Sequence, residues 1–375
     1  MKHKKIEEVK HERLASLDTL RGFDMFWIIG GDALIISLAA ALGWGWLDKV
    51  AEQMDHVPWA GFHFEDLIFP LFMFISGVAI PYAIISKIEK GVKRSELFNK
   101  AAKRGLILVL FGILYNGALQ HGFKDLRYAS VLGQIGIGYF FAATIVIYSR
   151  SFRTRLLWLI GILAGIALLQ LVVPVPGYGA GVLDKVGGMN AYLDRMLLPG
   201  RLYGETFDPE GILCIVSAIS VTLIGTFAGF ILRDGTPASK QKATKLTIVG
   251  ASLIIVALLL STFYPIIKAA WTVPFNILTS GISFVLLALF YYTIDVKKWT
   301  KDGVPAKKAF FFQVIGMNSI TIYMGTRIID FEKISSFFVG WLAKPFGVWL
   351  VVLGAIAIEW LLLYYLYKKK IFLKV

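Results

Sequence analysis

With one cysteine in 375 residues, Cys214, the chain has no intrachain disulfide, and the apolar run around that residue supplies nothing to activate a thiolate. It also lacks any Asn-x-Ser/Thr glycosylation sequence, any low-complexity run, and any internal repeat of the kind that builds the inverted halves of many transporters. Charged residues make up only 17% of the chain, and basic ones outnumber acidic ones 39 to 25. A soluble globular domain does not have this composition.

What fills the chain instead is hydrocarbon. Hydrophobic residues reach 57%, with 28 Phe, and the mean hydropathy is +0.68. A helix crosses the bilayer core with about 20 mostly apolar residues. About ten such stretches can be laid along the chain, at 20–42, 64–85, 106–119, 129–148, 156–173, 212–232, 246–263, 272–294, 310–328 and 346–367. The piece at 334–342 is too short to span and reads as interfacial or re-entrant. The expected fold is all-α, a polytopic membrane bundle of about ten transmembrane helices. It forms a single domain over 19–370, between an N-terminal tail at 1–18 and a C-terminal tail at 371–375.

The net charge of +14 is a topology signal rather than a mark of nucleic-acid binding, because the basic residues alternate by loop. The N-terminal tail (Lys2, Lys4, Lys5, Lys10, Arg13), the loops at 87–104, 150–155, 233–245 and 297–308, and the tail 368–374 are basic. The loops at 48–55, 124–127, 184–210, around Lys268 and at 333–344 are acidic or nearly neutral. Positive loops stay in the cytoplasm, which places both termini there and makes the helix count even. No cleavable signal is expected, since the first apolar stretch carries Asp24 and Asp32 and follows a long segment of mixed charge.

Ionisable residues at membrane depth are costly and mark a functional interior. Arg21, Asp24 and Asp32 share a stripe of the first span, and Asp32 lies roughly 20 Å up the helix from its inner end. Arg21 also suits snorkelling to the inner headgroups and pairing with Asp18 or Asp24. After this span come His56, Trp59, His63, Glu65 and Asp66. Histidine suits proton transfer near neutral pH, and a carboxylate such as Asp32 would fix its tautomer; His63 and Asp66, one turn apart, form a rival pair. The loop at 174–211 reads as a folded extracytoplasmic lid rich in glycine and acids, ending in Asp208 and Glu210, which also suit an ordinary helix start. Lys103 and Arg104 lie at an inner helix end, where they could hold cofactor phosphates. Glu359, deep in the last span, has no evident partner.

Several segments resemble, in order, the heparan-alpha-glucosaminide N-acetyltransferase family. They are Ser16-Leu17-Asp18-Thr19-Leu20-Arg21-Gly22, His56-Val57-Pro58-Trp59 running into Asp66-Leu67-Ile68-Phe69-Pro70, Ala191-Tyr192-Leu193-Asp194-Arg195, and Asp208-Pro209-Glu210-Gly211-Ile212-Leu213. Lys268 with Trp271, Gly316-Met317-Asn318-Ser319-Ile320 and Tyr367-Lys368-Lys369-Lys370-Ile371-Phe372 continue the series. The resemblance implies a membrane enzyme that moves acetyl groups from cytosolic acetyl-CoA to an amino sugar or glycan on the far side, without a metal. It places the active histidine on His56, and Asp32 where the family's lysosomal member has asparagine. A second arginine expected after Arg127 is missing, and Thr326 stands where that member has histidine; both departures bear on the acceptor.

On this reading His56 and Asp32 are catalytic, Arg21 and Arg104 contact CoA, and Trp59, Arg127, Asp208 and Glu210 contact the acceptor. The partners expected are acetyl-CoA, the acceptor and the lipid bilayer, with a homodimer left open and nucleic acid excluded. A multi-pass protein of a bacterial inner membrane is the expected setting, and a transporter of amino sugars or related solutes is the alternative.

Overall fold

The computed structural model describes residues 14–118, 125–234, 236, 238–297 and 307–373. The basic tail through Arg13, Lys124, residues 298–306 and Lys374 lie outside them. Every element named among the described residues is helical, and eight helices are long and apolar enough to span. The first runs as α1 (Ala15–Phe26) through a π-turn at Trp27–Gly31 into α2 (Asp32–Leu42). After the short α3 (Gly45–Glu52) come the spanning α4 (Glu65–Glu89), then α5 (Arg94–Tyr115), α6 (Val131–Tyr148) and α7 (Phe152–Leu171). Beyond the short α8 (Met189–Leu197) lie α9 (Ile212–Leu232), α10 (Lys240–Leu260) and α11 (Val273–Tyr291), the last prolonged by a π-turn to Val296. The chain closes with α12 (Lys307–Met317), α13 (Ser319–Ile328), α14 (Phe331–Phe346) and α15 (Trp349–Lys368).

Two of the expected spans differ from the helices found. α5 has the length to cross, at 22 residues, but its first half carries Arg94, Glu96, Lys100, Lys103 and Arg104, so it falls outside the eight. It ends at Tyr115 because the Asn116 side chain turns to donate to the carbonyls of Arg127 and Ala129, at 2.8 and 2.7 Å. The stretch at 310–328 is not one helix. It breaks at Asn318, whose backbone leaves helical geometry (φ −129°, ψ 30°) and whose amide donates to the Ile371 carbonyl at 3.2 Å. The short apolar piece at 334–342 belongs to the 16-residue α14, capped by Asp330 and turned back onto α15 at Gly347 (φ 106°).

Lipid gives helices no hydrophobic reason to associate, so close approach and van der Waals contact must hold the bundle. Glycine supplies the approach. α4 meets α9 at Gly77 and Gly225, α5 meets α6 at Gly105 and Gly136, and α10 meets α11 at Gly250 and Gly281. α1 and α12 pack so tightly that a Cβ on Gly22 would run into the carbonyl of Phe312, and one on Gly316 into that of Asp18. α4, α6, α9 and α11 are the centre, with 61–72% of their apolar windows buried, against 22% for α7 and α10 at the rim. The Asp18–Gly316 approach and the Asn318–Ile371 bond bring the first and last described turns to the same end of the bundle, which supports an even number of crossings.

Gly22→Ala or Gly316→Ala should destabilise the purified protein by about 1–3 kcal/mol or more through overpacking. Gly161→Ala, on a face of α7 where an added Cβ meets nothing, should be neutral or stabilising by up to about 1 kcal/mol. Thermal unfolding in detergent reads both, and equal effects at the two kinds of position would refute the close-crossing account.

Candidate functional site

The connections preceding α4, α9 and α11 hold His56, Glu210 and Lys268, and those three helices begin at the same end of the bundle. Short backbone ties set the alignment. Gly61 N–H donates to the Ile266 carbonyl at 2.9 Å and Ala60 bridges to Ile267, so the loop before α4 is stitched to the one before α11. Trp271, 1% exposed, adopts a positive φ of 46° and its N–H closes a turn on the Lys268 carbonyl at 3.0 Å. Packing against Phe69 and Phe275 holds that uncommon conformation, and the turn directs Lys268 inward.

Asp66 is the hub. It is fully buried in the first turn of α4, where the helix dipole favours a negative charge. Its Oδ2 accepts from the His63 N–H at 2.9 Å, and its Oδ1 lies 3.0 Å from His56 Nδ1 and 3.5 Å from Lys268 Nζ. Lys268 Nζ is itself 3.0 Å from the His56 ring nitrogens. Burial pushes the Lys268 ammonium below its ordinary value, against the opposing pull of Asp66, Glu65 and Glu210. The His63 ring turns away to the Asp55 carbonyl at 2.9 Å, so the rival pair survives only as a backbone contact.

The carboxylate in ion-pair contact with the His56 ring is Asp66, while Asp32, expected there from the sequence, interacts with His56 through its charge. Asp32 opens α2 above the π-turn, its Oδ1 accepting from the Ala33 N–H at 2.6 Å, and it lines a different cavity. A stripe calculated on an uninterrupted helix misplaces it, because the π-turn and Gly30 (φ 123°) rotate everything beyond. Asp66 takes its place at the imidazole. The signal for this was present in the short spacing from His56 to Asp66, which the one-turn match of His63 with Asp66 masked.

Of the residues expected to meet an acceptor, only Glu210 lines the cavity at His56. Arg127 donates to both oxygens of Asp208, at 2.8 and 2.6 Å, pairs with Glu210 as well, and lies over the Tyr203 ring. Burial lowers the Arg127 guanidinium, but Asp208 and Glu210 outweigh it and hold the group above its ordinary value. Asp208, 0% exposed, also accepts from the N–H groups of Tyr203 and Glu210. Asp194 accepts from Asp208 and Ile212, both at 2.9 Å, and so caps the start of α9. Trp59 donates to the Leu183 carbonyl at 2.8 Å and meets Phe207 edge-on. Arg127, Asp208 and Trp59 therefore brace the 174–211 loop, and the loop in turn holds Glu210 over the site.

Two cavities meet inside the bundle. One, of about 200 Å³, is walled by His56, Glu65, Glu210, Lys268 and Tyr323 together with apolar side chains. The other, of about 270 Å³, contains Arg21, Arg104, Asn318 and Ser319, with Phe372 from the tail. Phe72, Leu132, Ile135 and Ile320 belong to the walls of both, so the two cavities are neighbours that share an apolar partition. Arg21 is tied to Asp18 at 3.1 Å, and Arg104 is stacked over Tyr139 with its Nε unbonded. Arg21 and Arg104, read together from the sequence, line one cavity, and Glu65, read with the ionisable cluster after the first span, lines the other, where Tyr323 had no motif to announce it.

Residues 13–172 match a family described as a domain of unknown function, DUF5009. Over 424 aligned residues the chain is 30% identical to heparan-alpha-glucosaminide N-acetyltransferase of Homo sapiens, an alignment covering 97% of this chain and 60% of the human protein. The protein of the same name from Mus musculus is 30% identical over 375 residues, covering 85% of this chain and 54% of its own length. The chain thus spans a little over half the length of these relatives. The similarity is a family-level relationship and bears out the resemblance seen in the motifs.

Asp208→Ala should leave Arg127 with Glu210 as its one carboxylate partner and strand the Tyr203 and Glu210 N–H groups, costing about 3 kcal/mol in the 174–211 loop. Trp59→Phe, which removes one hydrogen bond, should cost about 1 kcal/mol. Hydrogen exchange across the loop measures both, and unchanged protection in Asp208→Ala would contradict a bracing role.

Proposed function

We propose that this chain is a membrane N-acetyltransferase that takes acetyl groups from acetyl-CoA and places them on an amine at the His56 end of the passage. The observation that carries this reading is the apolar wall that the two cavities share. Paired arginines stand at one end, as anionic phosphates require, and a histidine held by a buried carboxylate stands at the other. The apolar wall shared between them suits a thin, uncharged arm such as pantetheine. The names of the relatives support the same class of reaction.

The chemistry needs only alignment and a base, because a thioester is already activated. With Asp66 Oδ1 at 3.0 Å from His56 Nδ1, the carboxylate favours the tautomer protonated at Nδ1 and leaves Nε2 as the base. As the amine nitrogen forms its bond to the acetyl carbonyl carbon, Nε2 takes the amine proton; the C–S bond then breaks and the proton passes to the departing sulfur. Lys268, beside the ring, supplies positive charge where the carbonyl oxygen and then the thiolate become negative. Glu65 and Glu210, in the same wall, attract an ammonium-bearing acceptor.

The alternation of basic loops supports a cytoplasmic position for the Arg21 and Arg104 end, with His56 on the opposite side. A bacterial inner membrane fits this arrangement, with residues 19–370 forming the single catalytic domain.

In purified protein, amine-dependent release of CoA from acetyl-CoA should be lost in His56→Ala. Asp66→Asn should lower kcat by about 10²–10⁴-fold, since it removes the group that orients the base, while KM for acetyl-CoA changes little. Arg104→Ala should raise that KM roughly ten-fold at similar kcat. Full turnover by His56→Ala, or amine uptake into liposomes without CoA release, would overturn the proposal.

A further inference from the structure

A base that takes a proton from an amine must lie about 3 Å from its nitrogen. One amine of the chain itself already meets that condition. Lys268 Nζ stands 3.0 Å from both ring nitrogens of His56, closer than its 3.5 Å contact with Asp66 Oδ1. The turn that the Trp271 N–H closes on the Lys268 carbonyl directs this side chain inward, where it is 18% exposed and lines the His56 cavity. Lys100, by contrast, is exposed and paired with Glu96.

A lysine becomes a nucleophile when it loses its proton, and desolvation favours that loss. Burial acts on Lys268 in this direction, so the ammonium that assists acetyl transfer stands in equilibrium with a free amine beside a base.

We propose that Lys268 is a self-acetylation site: when no acceptor occupies the cavity, its Nζ attacks the acetyl thioester and the chain modifies itself. The inference rests on the acetyl-CoA reading given above and goes beyond it by adding a covalent product on the protein. Nζ of the free amine forms a bond to the carbonyl carbon and the C–S bond breaks. The Nζ proton passes through His56 Nε2 to the departing sulfur, so one acetyl-CoA yields one N-acetyl-lysine and one CoA. Where Lys268 starts as an ammonium, its additional proton is released to water. Acetylation removes the positive charge beside the imidazole. An amide is not activated as a thioester is, so the modification persists and turnover stops in the modified molecules.

The test incubates the purified full chain with acetyl-CoA and no acceptor, then locates acetyl groups by peptide mass spectrometry. Lys268 should be acetylated at least about ten-fold faster than Lys100, and its rate should fall to that of Lys100 in His56→Ala. CoA release with glucosamine, measured afterwards, should decline in step with the modification. Lys268→Arg, which keeps a cation but no comparable nucleophile, should show no such decline. The proposal fails if Lys268 stays unmodified while the same preparation releases CoA with glucosamine, a result that leaves the acetyltransferase reading standing. It also fails if Lys268 reacts no faster than Lys100, or equally fast in His56→Ala. Acetylation of Lys268 that depends on His56, without CoA release on adding glucosamine, upholds the modification and counts against the amine-acceptor reading instead. Should His56→Ala not fold, the same slowing in Asp66→Asn decides.

Discussion

A carboxylate buried at the end of a membrane helix must be surrounded by donors, and Asp66 organises its end of the molecule by being so surrounded. One oxygen takes the His63 backbone and the other faces His56 and Lys268, which come from two different connections. Those connections are joined by the Ala60–Ile267 bridge. An imidazole, a cation and the entry of α4 are therefore brought together by a single residue. Glu210 reaches the same cavity from a third connection, through the loop that Arg127 and Asp208 hold together.

The remainder of the bundle follows from a different constraint. Helices in hydrocarbon associate only where their backbones approach closely, and glycines at the crossings of α1 with α12 and α4 with α9 provide that approach. Where regularity is interrupted, a polar side chain or an open wall appears. The π-turn at Trp27–Gly31 separates Arg21 and Asp24 from Asp32, and the break at Asn318 puts its amide on the C-terminal tail and its side chain in the arginine cavity. Each departure from an ideal helix separates or furnishes a binding surface.

Much of this was legible in the residues. Apolar length and the alternation of basic loops set out a helical membrane bundle, and the arginines and His56 singled out in the sequence line two neighbouring cavities. What escaped was conformational. A helical stripe assumes continuity, so Arg21, Asp24 and Asp32 were drawn on one face, whereas the π-turn interrupts the helix and Asp32 lines another cavity. The stretch at 310–328 is apolar enough to be drawn as one helix, and nothing in its hydropathy reveals the break at Asn318. Asp208 was read for its charge and as a helix start and not for its pairing with Arg127 or the Tyr203 N–H, because such partners depend on a loop path that composition does not specify.

The central claim is that one passage joins the arginine cavity to the imidazole. A structure of the chain with CoA bound tests it most directly. The account predicts phosphates at Arg21 and Arg104, the pantetheine arm against Phe72, Leu132, Ile135 and Ile320, and the sulfur within reach of His56 Nε2. A nucleotide bound elsewhere, or an arm that leaves this wall before it reaches the imidazole, would contradict it.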